Sequence, residues 1–431
     1  MSNKGPQLTL VFLLPVLIFW ACQKNNNPPP KPPTPPVDST KAATPDTLKI
    51  NLNYPIAQDS LQRKYELIIC EAGGKVLLDT LSPLNTPVKA SLPTNAKLFD
   101  VTTVYPTLSG TYTVFTYKAV NPSTWVNAIG GSYAVPYGSP TLTGSIYYTH
   151  VPALGTNNYP YFNSYPNWAG YSTNYLLNAT QFGINYYWRP GNYAYLYLPS
   201  LGRYNLHLAK GQLDTVDLTN TDTVATVQFK TTPGYTVYST TLTGIPDTTN
   251  FPAAITFFSP IAHIPGVGVP GVDVAFPPTV PVQKYELTVA ATKGTNLSAG
   301  IYVYNKTFSN SFTLPDESNF KITSNQSDNF AVQFTGISPS WYACRFSNTG
   351  GQVYWTINAP PDSTTLHPLP YFSALHPKLL QGQDMTAIKP FAFNFEAVTG
   401  YNYAQYLNLV CNPAAIQSQR VTMATSLSMA F

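Results

Sequence analysis

Charge is scarce in this chain. Lys and Arg number 23 and Asp and Glu 19 in 431 residues, so 10% of the chain is charged, against about 25% in an average soluble domain. The net charge of +4 is small for the length and no Lys/Arg cluster gathers it. Nucleic-acid binding, which needs a basic stripe to displace phosphate counterions, has no support. Only five glutamates are present. That narrows the class of hydrolases working through paired carboxylates without closing it, because such pairs come from distant strands. No G-x-S-x-G elbow and no H-E-x-x-H occurs. His150, His207, His263, His367 and His376 are scattered, and the last two each precede a proline. Gly266 to Gly271 spell G-x-G-x-x-G, but Pro270, Pro277 and Pro278 forbid the helix whose N-terminus would hold a pyrophosphate. Asp214, Asp217 and Asp222 in "LDTVDLTNTDTVATV" lack the alternation of a calcium loop and read as edge and turn residues. The expectation is therefore no catalytic residue, no metal and no cofactor.

Cysteine is also rare, with Cys22, Cys70, Cys344 and Cys411 making up the four. No spacing among them suggests a redox pair or a zinc site. Cys344 alternates with Tyr342 and Phe346, and Cys411 shares a strand face with Leu407 and Leu409, so both read as core-facing. A Cys344–Cys411 disulfide closing a long loop would contribute roughly 4 kcal/mol; two buried free thiols are the alternative. Cys70 reads as a buried free thiol. Helical periodicity is nearly missing, and the best short candidate, 372–382, is weakened by Pro377.

What is abundant points to β-structure. Aromatics are 14% of the chain, with 31 tyrosines, and 41 prolines and 26 glycines punctuate it. Period-two alternation recurs at Leu48, Ile50 and Leu52; at Ala225, Val227 and Phe229; at Phe330, Val332 and Phe334; at Val353, Trp355 and Ile357; and at Phe391, Phe393 and Phe395. One apolar and one polar face per strand is the pattern of antiparallel sheets. The expected fold class is all-β, with two to three tandem antiparallel β-sandwich domains of immunoglobulin-like or transthyretin-like kind.

The N-terminus has its own character. An apolar run from Leu8 to Cys22 follows Lys4 and falls short of the roughly 20 residues that span a bilayer. It ends in Phe19-Trp20-Ala21-Cys22, and from Pro28 to Pro36 seven of nine residues are proline. The Ala21-Cys22 ending resembles the lipobox of bacterial lipoproteins, with Phe19 standing where leucine is usual and Trp20 bulkier than the pattern. The resemblance implies a signal peptide over 1–22, lipidation of Cys22, and a membrane partner through the lipid, in the outer membrane of a Gram-negative envelope. Residues 23–46 then read as a proline-rich stalk, extended because proline fixes φ and donates no hydrogen bond. The domains expected beyond it are 47–122, an aromatic-rich unit at 138–260, a Gly/Pro linker at 261–281 and a C-terminal unit at 282–431. "KYELIICEAGGKVL" at 64–77 and "KYELTVAATKGTNL" at 284–297 share six identities in fourteen, which fits either a duplicated unit or chance convergence.

The densest local feature is aromatic: 17 of the 58 residues from Tyr147 to Tyr204 are Tyr, Phe or Trp. Arg189-Pro190-Gly191-Asn192 reads as a turn. The flanks would then pair as a hairpin, with Trp188 opposite Tyr193, Tyr186 opposite Tyr195 and Ile184 opposite Tyr197. That places Tyr186, Trp188, Tyr193, Tyr195 and Tyr197 on one face and Ala194, Leu196 and Leu198 on the other. If exposed, the aromatic face would stack on a glycan or an envelope protein; if buried, it is packing. The layout of anchor, stalk and β-domains is similar to the accessory surface lipoproteins of glycan-uptake systems. Function is therefore expected to be non-catalytic binding or scaffolding. A polysaccharide hydrolase and a purely structural or adhesive protein are the alternatives.

Overall fold

A computed structural model describes residues 46–52, 63–72, 74–83, 88–94, 97–121, 143–153, 161–164, 168–171, 176–178, 180–187, 193–208, 210–230, 232–246, 255–257, 271–279, 282–411 and 421–431. The signal segment, the stalk up to residue 45, Trp188 with the 189–192 turn and most of the 261–281 linker lie outside the described residues. Within them the chain is all-β, with two short helices, α1 (Pro368–Leu375) and α2 (Tyr403–Cys411).

The strands expected from alternation form, and two of the five, Val353–Ala359 and Lys389–Val398, enter one sheet of twelve. From edge to edge it runs Ile255–Thr256, Thr236–Ile245, Lys284–Lys293, Leu297–Asn305, Met423–Ala430, Lys389–Val398, Trp341–Ser347, Val353–Ala359, Tyr112–Val120, Phe99–Pro106, Lys64–Glu71 and Val76–Pro83. Every junction is antiparallel except one: Val353–Ala359 lies parallel to Tyr112–Val120, with Val353 opposite Tyr112 and Asn358 opposite Tyr117. The units expected at 47–122, 138–260 and 282–431 thus do not divide along their predicted boundaries, because strands from all three share this sheet. Alternation shows that a strand has two faces but not which strand lies beside it. Polar side chains complete the parallel seam. Trp355 Nε1 donates to Thr116 Oγ1 at 2.9 Å, and Asn358 Nδ2 donates to the Thr116 carbonyl at 3.3 Å.

The two faces of the sheet are covered differently. One carries Tyr342, Cys344, Phe346, Trp355, Phe393 and Phe395 into the main core. The three-stranded sheet of Phe320–Asn325, Phe330–Phe334 and Thr365–Leu366 packs there through Phe320, Phe330 and Val332, as do Tyr371 and Phe372 of α1. Helix α1 stops at Leu375, earlier than the expected 372–382, because Pro377 follows; His376 takes a left-handed φ of 47° and a separate 3-10 turn forms at Lys378–Leu380. The buried Glu66 carboxylate receives the backbone N–H groups of Lys378 and Leu379 at 2.7 and 2.8 Å, tying that turn to the sheet. On the next two strands of the sheet, the buried Asp100 pairs with the half-buried Lys118, Lys118 lies 4.1 Å over the Tyr371 ring, and the Tyr371 hydroxyl meets Cys70 Sγ at 3.3 Å.

On the opposite face, α2 lays Tyr403 and Leu407 against Trp341, Ala343, Leu67 and Ile69. A reciprocal cap starts this helix: Asn402 Oδ1 accepts from the Gln405 N–H and Gln405 Oε1 accepts from the Asn402 N–H, each at 2.9 Å. The strand face expected to carry Leu407, Leu409 and Cys411 is therefore a helix, in which Leu407 and Cys411 are one turn apart.

Residues 143–223 add two smaller sheets. The four strands Leu176–Asn178, Gln181–Tyr187, Thr143–Thr149 and Leu213–Asp217 face the five strands Asp222–Thr223, Arg203–Leu208, Tyr193–Leu198, Tyr161–Ser164 and Trp168–Tyr171. Ile146, Tyr148, Ile184, Leu196 and Val216 fill the space between them. The repeated "KYEL" segments both open antiparallel hairpins of the twelve-stranded sheet. Their matched side chains point oppositely: Leu67 and Ile69 join the core under α2, whereas Leu287 and Val289 join the main core.

Candidate functional site

The expected aromatic hairpin does not form. Gln181–Tyr187 pairs with Thr143–Thr149, and Tyr193–Leu198 pairs with Arg203–Leu208 and Tyr161–Ser164, so the chain changes sheets between residues 187 and 193. The alternation within Tyr193–Leu198 holds nonetheless. Ala194, Leu196 and Leu198 fill the core between the small sheets, and Tyr195 and Tyr197 turn the other way into the main core, where the Tyr195 ring meets Phe257 edge-on with centroids 5.8 Å apart. Tyr195 is 0% and Tyr197 7% exposed, and Tyr193 is half-buried. This face is packing between layers, not a platform. Trp188 lies outside the described residues, as do the side chain of Tyr186 and Cys22. Cys344 is a free, fully buried thiol. Of the two readings open for Cys344 and Cys411, the disulfide does not bridge Cys344, and the geometry agrees, since Cys344 faces the main core while α2 packs on the other side of the sheet through Tyr403 and Leu407. The Cys411 side chain lies outside the described residues; Cys70 is free and buried, as expected.

The three aspartates weighed for calcium disperse. Asp214 meets His207 Nε2 at 3.0 Å, Asp217 accepts from the Thr219 N–H and lies 3.0 Å from His150 Nδ1, and Asp222 sits in an edge strand opposite Tyr204. Among the described residues no group of three metal-ligating side chains converges. Gly271 of the G-x-G-x-x-G run opens a strand, Gly271–Phe276, rather than a helix.

The site that the structure does present was not foreseen. Tyr342, Cys344 and Phe346 point into the main core, so Trp341, Ala343 and Arg345 face the other way. On the adjacent strand Phe393 and Phe395 are core, leaving Ala392, Asn394 and Glu396 beside them in register: Trp341 opposite Glu396, Ala343 opposite Asn394, Arg345 opposite Ala392. The next strand sets Ser426 opposite Glu396 and Ser428 opposite Asn394, and the one beyond sets Gly300 opposite Ser426 and Ser298 opposite Ser428. Pleating thus concentrates polar groups on one patch of sheet. A cleft of about 280 Å³ opens over them, walled by Tyr238, Thr292, Asn296 and Phe391. That is near the lower end of the 300–1,000 Å³ or so typical of small-ligand pockets. Gly300 helps keep it open, for a Cβ there would lie 3.0 Å from Ser426 Oγ.

Each polar group on this floor has a distinct state. Glu396 is 8% exposed, and its Oε2 accepts from Trp341 Nε1 at 3.1 Å. Burial dominates over that hydrogen bond, and its carboxyl is pushed up to about 7. Asn394 is 7% exposed, and its Oδ1 has no hydrogen-bond partner. Arg345 is half-buried, burial works against its charged form, and among the described residues no carboxylate lies within ion-pairing distance of it. At the mouth, a register shift between Arg345 and Phe346 gives Lys389–Val398 an extra residue. That bulge turns Phe391 out of the core, to 36% exposure, where it meets the exposed Tyr354 edge-on with centroids 6.2 Å apart. Helix α2 braces the far wall: Tyr406 stacks on Trp341 at 4.9 Å and 18°, and the Tyr403 hydroxyl donates to the Lys118 carbonyl at 2.8 Å. A signal for this site lay in "FAFNFEAV" and "WYACRFS", whose alternation isolates Asn394, Glu396 and Arg345 on the non-core face.

No family model matches the chain and no curated protein matches it, so its function is read from this geometry.

Proposed function

We propose that the protein is a lipid-anchored envelope protein, tethered through Cys22 and raised by the 23–46 stalk, whose body binds a glycan in the cleft over Asn394 and Glu396 without acting on it as an enzyme. In this reading the facing sheets of 143–223 form a β-sandwich unit of immunoglobulin-like or transthyretin-like kind, and the aromatic layer around Tyr195 and Tyr197 joins it to the twelve-stranded sheet.

The observation that carries the reading is an unpartnered, buried Asn394 Oδ1 on the floor of an open cleft. Buried polar atoms are nearly always satisfied, and one that faces an open cleft is satisfied by what enters it. Serine hydroxyls and a carboxyl group around it suit a hydroxyl-rich ligand, and the exposed Phe391 ring offers a stacking surface for an apolar sugar face. Among the described residues Glu396 is the one carboxylate lining the cleft. Glycoside hydrolysis by the usual routes needs two, roughly 5–10 Å apart, which supports binding over catalysis.

Affinity electrophoresis through gels containing soluble polysaccharides tests the proposal. The full chain should be retarded by at least one of them. Asn394→Leu should lose the retardation while melting within a degree or two of the parent, and no new reducing ends should appear. Unretarded migration in every gel, or equal retardation of Asn394→Leu, would remove the cleft from the functional account.

A further inference from the structure

We infer that the cleft selects a sugar bearing a carboxylate, a hexuronate-type ring, and that Arg345 receives that carboxylate. The inference rests on the reading of the cleft as a glycan site and adds the charge of the ligand to it.

Arg345 is a cation without an anion among the described residues. Ion pairs among the described residues include those of Lys75, Lys118, Lys293, Lys378, His150 and His207. Arg345 has none, although it is half-buried and lines the cleft. A desolvated guanidinium is costly when unpaired, and its planar fork of donors matches a carboxylate through two parallel hydrogen bonds. The protein's own nearby carboxyl does not serve. Glu396 lies four residues along the neighbouring strand from Ala392, the residue opposite Arg345, and is committed to Trp341 instead. Burial keeps Glu396 protonated through the mildly acidic range, so it enters the site as a hydrogen-bond donor and does not repel an incoming carboxylate.

The remaining groups fit the rest of such a ring. Asn394 lies between the two, opposite Ala343, and its free Oδ1 accepts from a ring hydroxyl. Ser426 and Ser428 line the next strand and can donate or accept. Phe391 stands on the Arg345 side of the cleft, at the bulge, where one face of the ring can rest on it. The order along the floor is therefore cation, neutral acceptor and neutral acid, with an aromatic wall. A neutral sugar would leave the cation unanswered, and a simple anion would leave the hydroxyls and Asn394 unused.

The test is calorimetric titration of the full chain at pH 6 with disaccharides ending in glucuronate or galacturonate, with their methyl esters, and with the neutral glucose and galactose parents. At least one acid should bind tenfold or more tighter than its own ester and its neutral parent. Arg345→Met should bring that acid down to the affinity of the ester, and Arg345→Lys, which keeps the charge but not the fork, should fall between. Circular-dichroism melting verifies that both variants fold. Equal binding of an acid and its ester overturns the inference while leaving the cleft a glycan site, and so does an undiminished preference in Arg345→Met. Binding of no member of the panel overturns the glycan reading itself, and this inference with it.

Discussion

Glu396→Gln should change the pH dependence of stability in a way that isolates one buried proton. In the unfolded chain the carboxyl ionises near the usual ~4.3; in the native protein burial holds it protonated until about 7. Between those values unfolding releases a proton, so native stability falls as pH rises through this window and levels off above it. A displacement of that size, at about 1.4 kcal/mol per tenfold change, corresponds to roughly 3 kcal/mol lost between pH 4 and pH 8. Glutamine keeps the shape and an oxygen that accepts from Trp341 Nε1, and it carries no proton to lose. Urea unfolding of both proteins at half-unit steps from pH 4 to 8.5 supplies the comparison. Other titrating groups contribute equally to the two curves and cancel in the difference. The variant should match the parent near pH 4, apart from a constant offset, and gain about 3 kcal/mol on it by pH 8. A difference that stays flat across the range would refute the reasoning, because it would mean that Glu396 ionises natively as it does in water.

Three further outcomes are expected. Tyr195→Phe removes a phenol oxygen that is fully buried without a partner, so thermal unfolding should show unchanged or higher stability, by up to about 1 kcal/mol, whereas Tyr195→Ala should cost about 3–5 kcal/mol by opening a cavity between the layers. Asn402→Ala breaks the reciprocal cap of α2 and should cost roughly 1 kcal/mol in urea unfolding; an unchanged midpoint would show that the cap contributes nothing beyond the packing of Tyr403 and Leu407. Cys22→Ser should move the protein from the membrane to the soluble fraction on cell fractionation, and a variant that stays membrane-bound would end the lipid-anchor reading.

Much of the strand content was legible in the sequence, because alternation is a local property. Val353, Trp355 and Ile357 are core on one face of one strand, and Phe393 and Phe395 on another, as the period-two pattern requires. Phe391 departs from its set because a bulge depends on the partner strand, which the pattern does not specify. The same limit explains the missing hairpin. The turn residues 189–192 suggested a reversal, but whether the flanks pair with each other or with strands elsewhere is decided by packing, and here Ile184 and Leu196 meet across facing sheets. Helix α2 carried a legible mark in Asn402 and Gln405, spaced as a capping pair, though its body, YAQYLNLVC, lacks a strong helical stripe. The cleft was half-legible: Asn394, Glu396 and Arg345 could be placed on non-core faces of their strands, but only the pairing register brings them together. The tyrosine-rich segment drew attention by density alone, and density of aromatic residues is as much a property of cores as of binding surfaces.

The parallel seam between Tyr112–Val120 and Val353–Ala359 has a consequence for how this protein comes into being. The side chains it joins are 239 residues apart along the chain, so the early strands Lys64–Glu71, Phe99–Pro106 and Tyr112–Val120 are made long before their neighbour exists. Until Val353–Ala359 arrives, Tyr112–Val120 stands as an unsatisfied border, with a row of backbone donors and acceptors open to any other extended chain. Pairings that close such long loops form slowly and leave the nascent protein open to association with its own copies. Chains truncated ahead of residue 353 should therefore clump rather than fold as a shorter domain, and maturation of the whole protein should depend on a holding factor until synthesis has passed that point.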